Sequence, residues 1–316
     1  MLSIIVPIFN EEDNLGPLRE KTVAALEQID RPFELIMVND GSTDRSGEIL
    51  DSFAAEDSRI KVIQFRRNFG QTAALMAGID HANGDVLIPM DGDLQNDPSD
   101  IPRLLAKLDE GYDVVSGWRK NRKDRMFSRK LPSIMANRFI SLISGVHLHD
   151  YGCTLKAYRS DVMQDVKLYG EMHRFIPIYA SWQGGRVCEI PVNHHARIHG
   201  SSKYGWKRTF KVILDLMVVQ FLNKYDTKPI YVFGTFGLVF LLIALLSGIG
   251  ALVLKFGYSI SFIETPLPLL TAMCLMLSVM TILMGLLAEL LIRIYYESQN
   301  KPVYLVKGPK TPLKPR

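Results

Sequence analysis

Asp91 and Asp93 flank a single glycine directly after the apolar run 85–90. Two carboxylates so spaced at the end of a strand can face one hard divalent cation. Mg2+ or Mn2+ prefers oxygen ligands, and one or two carboxylates with substrate phosphates commonly fill its shell. An ion held there would neutralise charge gathering on a departing diphosphate. An Asp-x-Asp alone also fits a solvated turn, but Asp40 stands after another apolar run, 33–38, and strengthens the ligand reading. An EF-hand reading of Asp91, Asp93 and Asp97 fails for lack of the turn glycine and the closing Glu. The second set of chemically able residues is cationic. Residues 119–130 read RKNRKDRMFSRK, with Asp124 the only acid, and more basic residues gather at Lys203, Lys207, Arg208 and Lys211 and from Lys301 to Arg316. Such surfaces serve nucleic acid, anionic lipid or a phosphorylated substrate, and charge alone does not choose among them. His194, His195 and His199 resemble a metal spacing, and His147 and His149 stand near Asp150, but Pro191 makes 191–196 read as extended and ill-suited to zinc. Cys153, Cys188 and Cys274 show no CxxC spacing and read as buried or lipid-facing thiols.

The elements that must position these residues alternate. Strands are expected at 3–8, 33–38, 60–65 and 85–90, with helices at 14–28, 43–55 and 72–82 between them. Strand and helix in alternation imply an α/β domain with a mostly parallel sheet covered on both faces. Ligands bind such sheets at the carboxyl ends of the strands. The polar clusters after Ile8, Val38, Phe65 and Met90 therefore converge on one crevice.

The 316-residue chain carries a net charge of only +4, unevenly placed, and its apolar residues concentrate late. Two stretches, about 230–254 and 269–292, are long enough to cross a bilayer core of about 30 Å. The break between them, 255–268, holds Gly257, Pro266 and Pro268. Lys and Arg enrich both outer flanks, so the positive-inside rule puts residues 1–228 and the tail in the cytoplasm. Gly248 and Gly250 come close to a GxGxxG signature, but inside an apolar span they read as close helix packing. The start, MLSIIVPIF followed by Asn10, Glu11 and Glu12, reads as a strand and not as a secretory signal. Segments 132–146 and 206–225 combine apolar residues with a basic rim, as interfacial helices do.

IVPIFNEEDN at 4–13, VNDGSTD at 38–44, RNFGQTAALMAG at 67–78 and DGDLQNDP at 91–98 resemble the successive motifs of family 2, GT-A-fold glycosyltransferases. Within that family the chain most resembles polyisoprenyl-phosphate hexose transferases, among them dolichol-phosphate mannose synthases and bactoprenol glucosyltransferases. The likeness continues through DYGCTLKAYR at 150–159 and RIHGSSKYG at 197–205. It implies a GT-A domain over 1–205, a juxtamembrane helix over 206–228, a two-span hairpin within 229–294 and a basic tail, 295–316. It further implies that Pro7, Phe9, Asn10, Glu11, Asp40, Ser42, Asn68 and Gly70 line the nucleotide pocket, Asp40 toward base or ribose. Asp91, Gly92 and Asp93 would hold a Mg2+ or Mn2+ ion and the donor diphosphate, with Gln95 at the sugar. Arg119, Arg129, Ser133, Arg197 and Lys203 would position a polyisoprenyl phosphate, with Asp150 as an alternative base or sugar-binding carboxylate. The lipid phosphate is already anionic, so it needs cationic positioning more than a base.

The reaction expected is inverting transfer of a hexose, glucose from UDP-glucose by the bactoprenol likeness, with GDP-mannose or a UDP-amino-sugar as alternative donors. The protein would sit in a bacterial inner membrane among lipids, as a dimer or tetramer, without nucleic acid as partner. A processive polysaccharide synthase is disfavoured, because 182–187 lacks a Gln-x-x-Arg-Trp signature and only two spans are present. A non-catalytic scaffold is disfavoured because Asp40, Asp91 and Asp93 are all present.

Overall fold

The computed structural model describes residues 1–120, 131–163, 170, 172–196, 216, 221 and 228–298. The chain divides into two compact units, 1–220 and 221–316. The first is built on β1 (Leu2–Ile8), α1 (Glu12–Glu27), β2 (Phe33–Asn39), α2 (Ser46–Glu56), β3 (Ile60–Gln64), α3 (Gln71–Asp80) and β4 (Val86–Pro89). It continues through α4 (Ile101–Asp109), β5 (Val114–Trp118), α5 (Leu131–Ser144), β6 (Lys156–Arg159), α6 (Ser160–Met163), α7 (Ile176–Trp182) and β7 (Val187–Pro191).

These seven strands form one sheet in the order β3-β2-β1-β4-β6-β5-β7. The β1–β2, β2–β3 and β1–β4 pairs are parallel, as the alternating pattern predicts, and β5 and β7, which lie beyond the stretch that pattern covers, are parallel too. β6 departs from it, pairing antiparallel with both β4 and β5. Nothing in the four residues of β6 signals this direction. Side chains alternate across the sheet as the strand period requires. Ile4, Val6 and Ile8 join the core shared with Leu15, Leu18, Phe53 and Leu104, while Ile5 joins Leu75, Ile140 and Ile178 on the opposite face. The chain runs outward from β1 to β3 and then returns to place β4 on the other side of β1, so the topological switch point lies between the carboxyl ends of β1 and β4. Ligands gather there in open α/β sheets.

Two expected boundaries move. The helix expected from residue 43 starts at Ser46, because Asp44 accepts from the backbone N–H groups of Ser46 (3.0 Å) and Glu12 (3.2 Å) and holds 42–45 as a turn. The segment 132–146 is largely helix α5, with Ile140 buried and Ile134 and Leu142 exposed.

The second unit holds α8 (Ile230–Tyr258) and α9 (Leu267–Ser298), both long and apolar enough to cross a membrane. α8 runs four residues into the expected break, through Lys255 and Gly257, and is capped by Ser259, whose left-handed φ of 56° stops the helix. Small residues let the two helices approach. A Cβ on Gly237 would lie 2.6 Å from Ile282, one on Gly285 would lie 2.7 Å from Ile230, and the Ser247 and Thr271 hydroxyls are 2.9 Å apart. Gly248 and Gly250 face Thr271 and Leu267, the helix packing their sequence context implies.

Candidate functional site

Past Ile8, Asn10 takes a left-handed φ of 54°, which a short amide side chain tolerates. Its backbone N–H donates to Ser42 Oγ (3.0 Å), and its Oδ1 accepts from the Thr43 N–H (2.8 Å). Ser42 in turn donates its N–H to Asn39 Oδ1 at the end of β2. Pro7 and Phe9 are half-buried beside this turn, and Glu11 accepts from the Asn14 amide at 2.5 Å. Gly41 must be glycine: its φ is +68°, and a Cβ would stand 2.3 Å from the Arg67 carbonyl carbon. That closeness brings the 67–70 loop against β2. Asp40 fixes the loop, its buried carboxylate accepting from the N–H groups of Phe69 (2.7 Å) and Gly70 (2.9 Å) and from Asn68 Nδ2 (2.9 Å). Burial raises the Asp40 pKa, with those two amides opposing the rise. The carboxylate that the resemblance directs to base or ribose thus fixes residues 68–70 against the end of β2.

Across the switch point, Gly92 lies against the end of β1, where a Cβ would meet Ile8 Cδ1 at 2.6 Å. Asp91 Oδ1 accepts from Gln71 Nε2 (2.8 Å), and its Oδ2 accepts from Thr154 Oγ1 (2.7 Å). Asp93 is buried, and its Oδ1 accepts from the Gln95 N–H at 3.2 Å. Leu94 between them holds a strained φ of 61°. Burial first, and then the Asp93 charge, push the Asp91 pKa up. Two acids so arranged resist sharing negative charge unless a cation joins them. Among the described residues no cluster of three or more metal-ligating side chains occurs. The site fits a hard ion that takes most of its oxygens from phosphate and water.

Beyond β4 lies the loop 148–155. Arg119 donates Nε to Asp150 Oδ2 (2.7 Å) and Nη2 to Oδ1 (2.9 Å), a bidentate pair with both side chains largely buried. Asp150 thereby acts as a holder of Arg119. The loop itself is pinned by one anion and one cation. Glu189 on β7 accepts from the backbone N–H groups of His149 (3.0 Å) and Asp150 (3.0 Å). Lys156, wholly buried, donates to the carbonyls of Tyr151 (3.2 Å) and Cys153 (2.5 Å), and burial lowers its pKa to about 8. The loop joins the two halves of the site, because Thr154 binds Asp91 while Asp150 binds Arg119.

The chain leaving β7 zips onto the acidic loop. Asn96 and His194 form an antiparallel bridge, the His195 N–H donates to the Gln95 carbonyl (2.9 Å), Gln95 Nε2 donates back at 3.4 Å, and His195 Nε2 lies 3.0 Å from Asp97. Arg129, Arg197 and Lys203 lie outside the described residues, as does the Ser133 side chain in the first turn of α5. Sequence reasoning missed Gln71, Thr154, Lys156, Arg174 and Glu189. The first three sit inside quoted motifs and could have been singled out there; Arg174 and Glu189 carry no spacing signal.

The Glycosyl transferase family 2 model matches residues 3–167. The chain is a family 2 glycosyltransferase. A dodecaprenyl-phosphate galacturonate synthase of Rhizobium johnstonii is 46% identical over 322 residues, spanning 97% of this transferase and 92% of its own length. An undecaprenyl-phosphate 4-deoxy-4-formamido-L-arabinose transferase of Klebsiella pneumoniae is 38% identical over 308 residues, spanning 97% and 92%. Among solved structures, a glucosyl-3-phosphoglycerate synthase of Mycobacterium tuberculosis in complex with Mn2+, UDP and phosphoglyceric acid superposes with a TM-score of 0.54. That match is 14% identical over 70% of this chain and 78% of the other, so it speaks to the fold, which is GT-A. Both curated relatives are named for transfer to a polyprenyl phosphate, and neither is named for glucose.

Proposed function

We propose that this transferase moves a sugar from a nucleotide-sugar to a polyprenyl phosphate, with inversion at the anomeric carbon. The observation that carries the reading is the 148–155 loop, whose Thr154 holds Asp91 while its Asp150 holds Arg119. Donor-side carboxylates and an acceptor-side arginine are thus fixed by one short segment. Asp91 and Asp93 would hold a divalent ion, Mg2+ or Mn2+, which when bound offsets the charge of the donor diphosphate. Asn10, Ser42 and the Asp40-braced loop wall the nucleotide. Arg119, with Arg129, Ser133, Arg197 and Lys203 from the family resemblance, orients the lipid phosphate, whose oxygen attacks without needing a base. Asp150 keeps the Arg119 fork aimed.

For the sugar we put a uronate ahead of glucose. The relative that is 46% identical over nearly the whole chain is named for galacturonate, which outweighs the likeness to bactoprenol glucosyltransferases. The two apolar helices anchor the protein in the inner membrane with the catalytic unit and tail cytoplasmic, as the basic flanks favour. Self-association into a dimer or tetramer is part of the same reading, checked by cross-linking in detergent.

The deciding experiment incubates purified protein with undecaprenyl phosphate, Mg2+ or Mn2+, and labelled UDP-galacturonate, UDP-4-deoxy-4-formamido-L-arabinose, UDP-glucose or GDP-mannose in turn. Label in the organic phase from UDP-galacturonate, lost with EDTA, is the expected result. Label from another donor alone keeps the reaction and replaces the sugar. No label from any donor, in protein that binds nucleotide, sinks the reaction.

A further inference from the structure

Two arginines from distant parts of the chain close on Gly152. Arg119 follows β5, and Arg174 lies in the short 3-10 turn Met172–Phe175. A Cβ built on Gly152 would stand 3.1 Å from Arg119 Nη2, 3.3 Å from Arg174 Nη1 and 3.4 Å from Asp150 Oδ1. Gly152 is not among the residues of positive φ, so its backbone does not demand glycine; a Cβ there would instead crowd both guanidinium ends, which would have to give by a few tenths of an ångström. Arg174 also lines a small cavity under the loop with Gly152, Thr154, Lys156 and His173. The same loop reaches the donor-side acids through Thr154, whose hydroxyl donates to Asp91 Oδ2 at 2.7 Å. Like charges brought together are costly unless anions join them. Asp150 is one such anion, and it engages two of the five N–H donors of Arg119.

We propose that Arg119 and Arg174 frame an oxyanion site over Gly152 and that Arg174 is a specificity-determining residue for the substrate group received there. The inference rests on the sugar-transfer reading above. The ligand chemistry is a planar or tripodal oxyanion, which guanidinium forks grip bidentately. Two substrates could supply it: the phosphate of the lipid acceptor or the carboxylate of a uronate donor.

The test measures equilibrium binding to the full chain in detergent, without turnover, of undecaprenyl phosphate, UDP-galacturonate and its neutral counterpart UDP-galactose. Arg174→Gln is expected to weaken one oxyanion ligand by tenfold or more while UDP-galactose stays within twofold. Gly152→Ala, which keeps every charge but places a methyl group between the arginines, is expected to weaken the same ligand several-fold. Arg174→Lys should recover part of the loss. A change confined to undecaprenyl phosphate assigns the site to the lipid phosphate; a change confined to UDP-galacturonate assigns it to the sugar carboxylate. All three affinities holding within twofold in Arg174→Gln overturns the site. So does a parallel fall of all three, which marks a structural ion pair, or Gly152→Ala acting on a different ligand. If Arg174→Gln does not fold, Arg174→Lys and Gly152→Ala carry the same readings. Wild-type protein that binds these ligands yet transfers no sugar sinks the proposed reaction and leaves the oxyanion site standing.

Discussion

Asp91 is buried and crowded by Asp93, and although the Thr154 hydroxyl opposes the shift, its ionised form is disfavoured in the fold. A carboxyl whose folded pKa is raised contributes stability below its unfolded pKa and loses it as pH rises through the folded value. At neutral pH Asp91 therefore strains the fold. Asp91→Asn should raise the thermal midpoint of the ligand-free protein while lowering transfer roughly 10²- to 10³-fold, the scale on which a key electrostatic group acts. Differential scanning fluorimetry with the organic-phase assay checks both, and a lowered midpoint would contradict the reading. Lys156 presents opposing terms. Its pKa falls from 10.5 to about 8, a burial cost of roughly 3 kcal/mol below pH 8. Between those values the unfolded chain binds more protons, so this group makes stability rise with pH there. In Lys156→Met that cost disappears, but two loop carbonyls lose their donor at about 1–3 kcal/mol each. The two nearly cancel, so the midpoint should move by only a few degrees while transfer falls roughly 10- to 100-fold as the loop loosens. A large stability loss with normal kcat/KM would show that the loop does not depend on Lys156.

At the scale of elements, what could be read from the sequence follows the periodicity. β1 to β4 and the helices between them were legible because each strand is a continuous apolar run ended by polar residues, and Asp91 and Asp93 stand where such a run stops. β6 was not legible: four residues, Lys156–Arg159, with a buried lysine at their start, carry no strand period. Glu189 escaped for a similar reason, since its role lies in reaching the backbone of His149 and Asp150, forty positions away in the chain. Neither partner's local pattern marks that reach. α3 gives a test of packing. A Cβ on Gly78 would sit 2.2 Å from Ile5 Cγ2, so Gly78→Ala must lift the helix off β1. Overpacking of this kind costs about 1–3 kcal/mol. Because α3 begins at Gln71 and its cap is Gly70, transfer should fall together with the thermal midpoint. An unchanged midpoint would mean that β1 and α3 yield more easily than their packing implies.

At the scale of the whole molecule, acid should act through carboxylates outside the site. Burial favours the neutral form of Glu34, but Lys61, the Ser3 hydroxyl and the Asn83 N–H outweigh it and hold its pKa below the usual range; Arg59 does the same for Asp57. Groups with depressed folded pKa values contribute stability above their unfolded values and lose it as pH falls through the folded ones. Denaturant midpoints should therefore drop below about pH 4, less steeply in Glu34→Gln, and a flat profile would contradict the assignment. β6 has one more consequence, for the order in which the protein can be made. The strands β3-β2-β1-β4 all lie within residues 1–90, so they can pair while synthesis continues, whereas β5 must wait some forty residues for β6 before it can join β4 at all. Three of the seven strands thus arrive late, and their closing depends on the segment that also carries Asp150, Thr154 and Lys156. Long-range pairing is slow and leaves strand edges open to wrong partners. A nascent chain that stalls between Trp118 and Lys156 presents an unpaired β4 edge, and substitutions in 150–159 will show themselves first as lost yield, before any change in chemistry can be assayed.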